Sequence, residues 1–89
     1  MAQAKVELVN RLGLHARAAA KFVHTASRFE AQILVRHNDE EVNGKSILGL
    51  LLLAAPCGSE LLVTATGADE GAALEAIGLL IRERFGESE

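Results

Sequence analysis

Gly13-Leu14-His15-Ala16-Arg17-Ala18-Ala19-Ala20 joins a glycine turn to an alanine-rich run in which a histidine and an arginine stand two residues apart. From Ala16 to Phe29 there is neither Pro nor Gly. The apolar positions Ala16, Ala19, Ala20, Val23 and Ala26 follow helical spacing, and Arg17, Lys21, His24, Thr25 and Arg28 fall on the other face. The stretch therefore reads as an amphipathic helix that starts at about His15 and ends near Arg28 or Phe29.

The first N–H groups of a helix have no intrahelical partner, and the aligned peptide dipoles place roughly +0.5 charge at that end. Anions are favoured there, while a second positive charge on the histidine is not, which leaves a ring nitrogen available as a nucleophile. A histidine so placed can take a phosphoryl group covalently. The N–H groups of Ala16, Arg17 and Ala18 and the Arg17 guanidinium would then hold the transferred oxygens. The plainer reading is that His15 only fills a helix start. Gly13, Arg17 and the small residues after the histidine weigh against it, because they leave the ring open on one side.

Outward from this helix the chain alternates. Lys5 to Val9 places Val6 and Leu8 on one face, Gln32 to His37 places Ile33 and Val35 on one face, and Glu60 to Thr66 sets Leu61, Val63 and Ala65 against Leu62, Thr64 and Thr66. These are three strands. Asn38-Asp39-Glu40 supplies a turn to a short further strand at Glu41 to Asn43. Ser46 precedes Ile47, Leu48, Leu50, Leu51, Leu52 and Leu53 and reads as the N-cap of a second helix, too apolar for one face to hide. Asp69 is the candidate N-cap of a third helix with the stripe Ala73, Leu74, Ile77, Leu80, Ile81 and Arg84, and Phe85 beside it. Gly86 to Glu89 reads as a short acidic tail. The order strand, helix, strand, strand, helix, strand, helix predicts an α+β fold, an open-faced β-sandwich with helices on one face of one sheet. Strand order does not follow from the pattern.

Composition narrows the function. Eighty-nine residues suit one domain, 1–89. With three Phe, no Trp or Tyr and a formal charge of −3, the chain lacks both the aromatic platforms and the basic surplus of a nucleic-acid binder. The longest apolar run, Ile47 to Ala55, is nine residues against the about 20 that span a bilayer. No membrane segment is expected. The lone Cys57 and the lack of a secretory pattern suit a reducing cytoplasm. No His/Cys/Asp/Glu cluster has zinc-site spacing, so no metal is expected. Gly44-Lys45-Ser46 matches the end of a P-loop, but no glycine stands five residues before Gly44, so no nucleotide loop is expected either.

Leu12-Gly13-Leu14-His15-Ala16-Arg17-Ala18-Ala19-Ala20-Lys21, then Val42-Asn43-Gly44-Lys45-Ser46-Ile47-Leu48-Gly49, then Thr66-Gly67-Ala68-Asp69-Glu70 together resemble the HPr family of phosphocarrier proteins of the bacterial phosphoenolpyruvate-dependent phosphotransferase system. The motifs span essentially the whole chain in the family's order. The resemblance implies a four-stranded antiparallel sheet in the order 1-4-2-3 with three helices on one side. It implies a carrier rather than an enzyme, phosphorylated on Nδ1 (the pros nitrogen) of His15 by phospho-Enzyme I and discharged to a IIA component, with Arg17 neutralising the group and no cofactor. It further implies Ser46 as the target of an HPr kinase/phosphorylase where the organism has one. The docking surface it implies draws on Lys21, His24, Lys45, Ile47, Leu48 and Leu51, with Arg28 as a further steering charge. Many members have proline where this chain has Ala18. Proline in a first helical turn sacrifices no hydrogen bond, so alanine is a compatible replacement. It looks like the variant of some proteobacterial members and of the nitrogen-regulatory branch, which leaves the pathway open between sugar transport and regulation.

Two other functions fit less well. A regulatory binding module controlled at Ser46 could dispense with the histidine, yet the chain keeps both His15 and Arg17. A hydrolase using His15 as general base lacks a Ser or Cys nucleophile nearby in sequence and any clear orienting carboxylate. Nothing calls for more than a monomer.

Overall fold

Alternation sets the sheet, and the helices cover its apolar side. In a computed structural model that describes residues 1–88, the elements run β1 (Ala2–Glu7), α1 (Ala16–Ala26), β2 (Gln32–His37), β3 (Glu40–Asn43), α2 (Ile47–Leu53), β4 (Glu60–Thr66) and α3 (Glu70–Arg82), followed by a 3₁₀ turn at Arg84–Gly86. The four strands form one antiparallel sheet in the order β1-β4-β2-β3. Val35 pairs with both Val63 of β4 and Val42 of β3, and Val63 pairs with Ala4 of β1, so one row of apolar side chains crosses the sheet. Ile33, Val35, Leu61, Val63 and Ala65 are buried on that face, as the alternation predicts, whereas Gln3, Lys5, Arg36 and Glu60 remain exposed.

The helices close the core from one side. α1 buries Ala18, Ala19, Phe22 and Ala26, α2 buries Leu50 and Leu53, and α3 buries Ala73, Ile77, Gly78 and Ile81. Phe22 is the largest apolar side chain of α1 and is fully buried, which stabilises the fold by about 1.5–3 kcal/mol relative to leaving it in water. No helix among the described residues is long and apolar enough to cross a membrane.

The structure corrects several expectations. β1 spans Ala2 to Glu7 rather than Lys5 to Val9, because its partner β4 offers a full register from Glu60 to Ala65, and Val9 is exposed beyond it. β3 begins one residue early, at Glu40. The buried face of α1 is turned relative to the expected stripe: Ala18 and Phe22 point inward, and Ala16 and Ala20 are exposed. α1 ends at Ala26, after which Arg28 and Phe29 bond three residues back, to Thr25 and Ala26. Asp69 stands at the N-cap of α3, as expected, but its side chain makes no cap hydrogen bond to that helix. Its carboxylate instead accepts the N–H groups of Glu30 and Ala31, both at 2.9 Å, tying the start of α3 to the α1–β2 connection. The hydrogen bond from Glu30, with that from Ala31 and the charge of Lys45, outweighs desolvation and lowers the Asp69 carboxyl below its ordinary value. Of the expected acidic tail Gly86 to Glu89, Glu89 lies outside the described residues, and the chain that leads into the tail is ordered by a tight turn. Arg84 and Phe85 both adopt left-handed backbone conformations, φ 58° and 54°, and Phe85 is fully buried. Each such residue costs roughly 1–2 kcal/mol, which burial of the Phe85 ring offsets.

Candidate functional site at the start of α1

The loop from Leu8 to His15 is held to the loop before β4. Leu8 donates its N–H to Ser59 O (2.9 Å), Gly58 donates to Leu8 O (2.7 Å) and Leu14 donates to Ala55 O (2.9 Å). Gly13 makes the bend possible. Its φ is +64°, and a Cβ there would lie 2.5 Å from Ala55 O, so both the conformation and the space demand glycine. Leu14 is buried beneath the bend, and the next residue, His15, emerges half-exposed at the N-cap position of α1 with extended backbone, φ −84° and ψ −179°.

This helix start is open. His15 contributes no side-chain cap, and the first intrahelical bond runs from Ala19 N–H to His15 O at 2.8 Å. The N–H groups of Ala16, Arg17 and Ala18 precede it and have no acceptor in the helix. Arg17 is exposed beside them, and His15, Ala16 and Arg17 line one cleft together with Arg11, Leu12, Glu87 and Ser88. The sequence-predicted histidine, arginine and backbone donors are thus brought together at one place.

The histidine has a neighbour that the sequence did not announce. His15 Nε2 lies 2.5 Å from Glu87 Oε2, and the other carboxylate oxygen of Glu87 accepts a hydrogen bond from Asn10 Nδ2 at 3.0 Å. The same Asn10 nitrogen donates to Gly13 O at 2.8 Å. Lys21 Nζ donates to Phe85 O at 2.6 Å, pinning the turn that returns Glu87 to the site. Partial burial raises the Glu87 carboxyl, but the hydrogen bonds from Asn10 and His15 and the charges of His15 and Lys21 outweigh it, leaving Glu87 below its ordinary value. The expectation that no orienting carboxylate serves His15 is therefore corrected. Nδ1 of His15 makes no hydrogen bond among the described residues.

The remaining predicted residues lie elsewhere. Ser46 is the N-cap of α2, its Oγ accepting from Gly49 N–H at 3.0 Å. Lys45 Nζ donates to Phe29 O at 2.7 Å, so its ammonium, like that of Lys21, is anchored on a backbone carbonyl. His24 and Arg28 are exposed on α1, the Arg28 guanidinium lying 5.8 Å from the Phe29 ring centroid. Ile47, Leu48 and Leu51 are exposed on α2, as its excess of apolar residues predicts, and Leu52 and Leu12 add to the exposed apolar surface. The described residues hold no group of three or more His, Cys, Asp or Glu that could bind a metal.

Comparison with known proteins finds matches along nearly the whole chain. The family model described as the PTS HPr component phosphorylation site matches residues 2–83. The chain is 48% identical to phosphocarrier protein HPr of Neisseria meningitidis over the full length of both. It is 46% identical to that of Pseudomonas aeruginosa over 86 residues, 96% of each chain. Among solved structures, HPr-C-His from Thermoanaerobacter tengcongensis superposes with a TM-score of 0.96 at 43% identity, covering all of both chains.

Proposed function

Because the chain belongs to the HPr family, the phosphocarrier proteins of the phosphotransferase system, we propose that it takes a phosphoryl group from phospho-Enzyme I onto Nδ1 of His15 and passes it to a IIA component in the cytoplasm. One observation supports this assignment above the others: Nε2 is engaged by Glu87, while Nδ1 has no partner among the described residues and sits at an uncapped helix start beside Arg17. The Nδ1 lone pair attacks phosphorus, the bond from phosphorus to the donor nitrogen breaks, and its electron pair returns to the donor ring. The N–H groups of Ala16, Arg17 and Ala18 and the Arg17 guanidinium meet the phosphoryl oxygens with fixed partial and full positive charge. Onward transfer reverses these roles. The donor already holds an activated phosphoryl group, so the carrier needs no nucleotide.

Partners dock transiently through the exposed apolar patch Ile47, Leu48 and Leu51, with Lys21, His24 and Lys45 as surrounding positive or ionisable groups. Ser46 is the regulatory position, open to an HPr kinase/phosphorylase where one is present. A phosphate there sits at the start of α2, where that helix tolerates it, and its charge acts on acidic partners instead.

The test is to incubate the protein with phosphoenolpyruvate and a compatible Enzyme I and to read phosphorylation by mass and phosphorus NMR. An acid-labile phosphohistidine in the wild type and none in His15→Ala is the expected result. Unlabelled wild-type protein, with the same Enzyme I competent on another carrier, would contradict the proposal.

A further inference from the structure

The carrier function explains His15, Arg17 and the open helix start but leaves the arrangement around Glu87 unexplained. Three separate features converge on it. First, two consecutive residues, Arg84 and Phe85, hold left-handed conformations that L-residues avoid, and the resulting turn sends Glu87 back across the molecule to a histidine 72 positions earlier. Second, Lys21 of α1 clamps this turn at Phe85 O. Third, Asn10 is fully buried with both its amide hydrogen bonds spent on Gly13 O and Glu87 Oε1, while its own Oδ1 has no partner among the described residues. An orphaned buried acceptor is costly. Its cost is tolerated in an orientation whose product is a fixed Glu87 carboxylate and a fixed Gly13 bend.

We propose that Glu87 is a positioning residue for phosphoryl transfer: it holds the proton on Nε2 of His15, so that Nδ1 is the nucleophile and the phosphorylated ring stays protonated. The inference rests on the carrier reading given above and deepens it. Which nitrogen of an imidazole carries the proton is set by the partner of the other, and a carboxylate on the far nitrogen also stabilises the cation that forms when the near one reacts. The transfer needs no further reactant. A neutral ring with its proton on Nε2 attacks through the Nδ1 lone pair, the phosphorus–nitrogen bond forms, and the ring becomes a phosphoimidazolium whose Nε2 proton remains bonded to Glu87. On discharge the electron pair of the breaking bond returns to the ring, which becomes neutral again with the same proton in place. No proton is exchanged with solvent in either direction.

The charged groups around the ring sort into two roles. Arg17 lines the cleft as a cation suited to the phosphoryl oxygens, Lys21 acts on Glu87 from α1, and Glu87 is the carboxylate that meets the ring itself. Asn10 keeps that carboxylate from turning away. The cleft thus places positive charge around the transferred group and negative charge behind the ring.

The experiment is nitrogen NMR of ring-labelled histidine in the wild type, Glu87→Gln and Glu87→Ala, before and after phosphorylation by Enzyme I and phosphoenolpyruvate. Glu87→Gln keeps size and hydrogen-bonding capacity but removes the charge, and backbone spectra establish that each variant is folded. The expected wild-type result is a proton on Nε2 in the free protein and a phosphoimidazolium with that proton retained at neutral pH. In the variants the phosphorylated ring loses the Nε2 proton under the same conditions, and the equilibrium level of phosphorylation falls about tenfold. Ring-nitrogen signals that are the same in all three phosphoproteins would overturn the role of Glu87 while leaving the carrier reading intact. A wild type that takes no phosphoryl group would overturn both.

Discussion

Two helices of this chain begin in opposite ways. α2 is closed: Ser46 Oγ accepts the N–H of Gly49, so a side chain of the chain itself caps the helix start. α1 is open: His15 occupies the equivalent position with no cap bond, and Ala16 and Arg17 line a cleft at the helix start. A cap stabilises a helix by about 1 kcal/mol, so leaving α1 without one costs folding energy that only an incoming anion recovers. On the proposed function, the difference separates a helix start that serves stability from one that receives a ligand. The start of α3 takes a third course, with Asp69 serving the backbone of Glu30 and Ala31 and Glu70 accepting from Gly67 N–H at 3.1 Å.

This contrast can be broken hardest at Gly13. Gly13→Ala imposes a left-handed alanine with its Cβ against Ala55 O, and the expected cost is about 2–4 kcal/mol in a denaturant melt, with phosphorylation of His15 impaired because the bend that presents it is lost. Next comes Arg17→Ala. It should leave the melt almost unchanged, since the side chain is exposed, while lowering the level of phosphohistidine about 10- to 100-fold through the loss of charge-assisted bonds to phosphate. Ser46→Ala should do the reverse, costing about 1 kcal/mol of stability in the melt while His15 accepts phosphate at the wild-type level. Equal effects of the two variants on stability would erase the distinction between the open and closed starts.

The smallest effect concerns acid. Asp69, Glu70 and Glu87 all titrate lower in the folded chain than their ordinary values: Asp69 and Glu70 chiefly through backbone hydrogen bonds from Glu30 and Gly67, and Glu87 because its bonds to Asn10 and His15 outweigh burial. The unfolded chain therefore binds more protons in this range. The stabilisation is complete above the ordinary carboxylate range of about 4 and is lost as pH falls through the lowered folded values. The urea midpoint should decline over that interval, and Asp69→Asn should make the decline shallower. An unchanged slope in that variant would mean that the carboxylate bonds to Glu30 and Ala31 contribute nothing.

Much of the fold was legible because alternation in Gln32–His37 and Glu60–Thr66 is unambiguous, and the structure places the expected residues inward. Strand order came from family resemblance and not from pattern. α1 was harder, since alanine on every side gives a helix no clear face; Phe22 decides the matter by bulk, and Ala18, Ala19, Phe22 and Ala26 are the residues that pack. At β1, the weak contrast of Ala2 and Ala4 with Gln3 hid the first half of the strand. The site was legible where its residues are contiguous, from Gly13 to Ala18. Glu87 was not, because its approach depends on consecutive left-handed residues at Arg84 and Phe85 and on a buried Asn10, and neither leaves a short-range signal in the sequence. Gly86 after a helical stripe was the one hint that the chain turns there.

The most direct test of the contrast between the helix starts is an amide spectrum of the protein before and after phosphorylation by Enzyme I and phosphoenolpyruvate. If α1 is the receiving end, phosphorus attaches to His15 Nδ1 and the amide protons of Ala16, Arg17 and Ala18 move strongly downfield, while that of Gly49, already bonded to Ser46, stays where it is. A phosphorylated protein in which those three amides do not move, or in which Gly49 moves as much as they do, would contradict it.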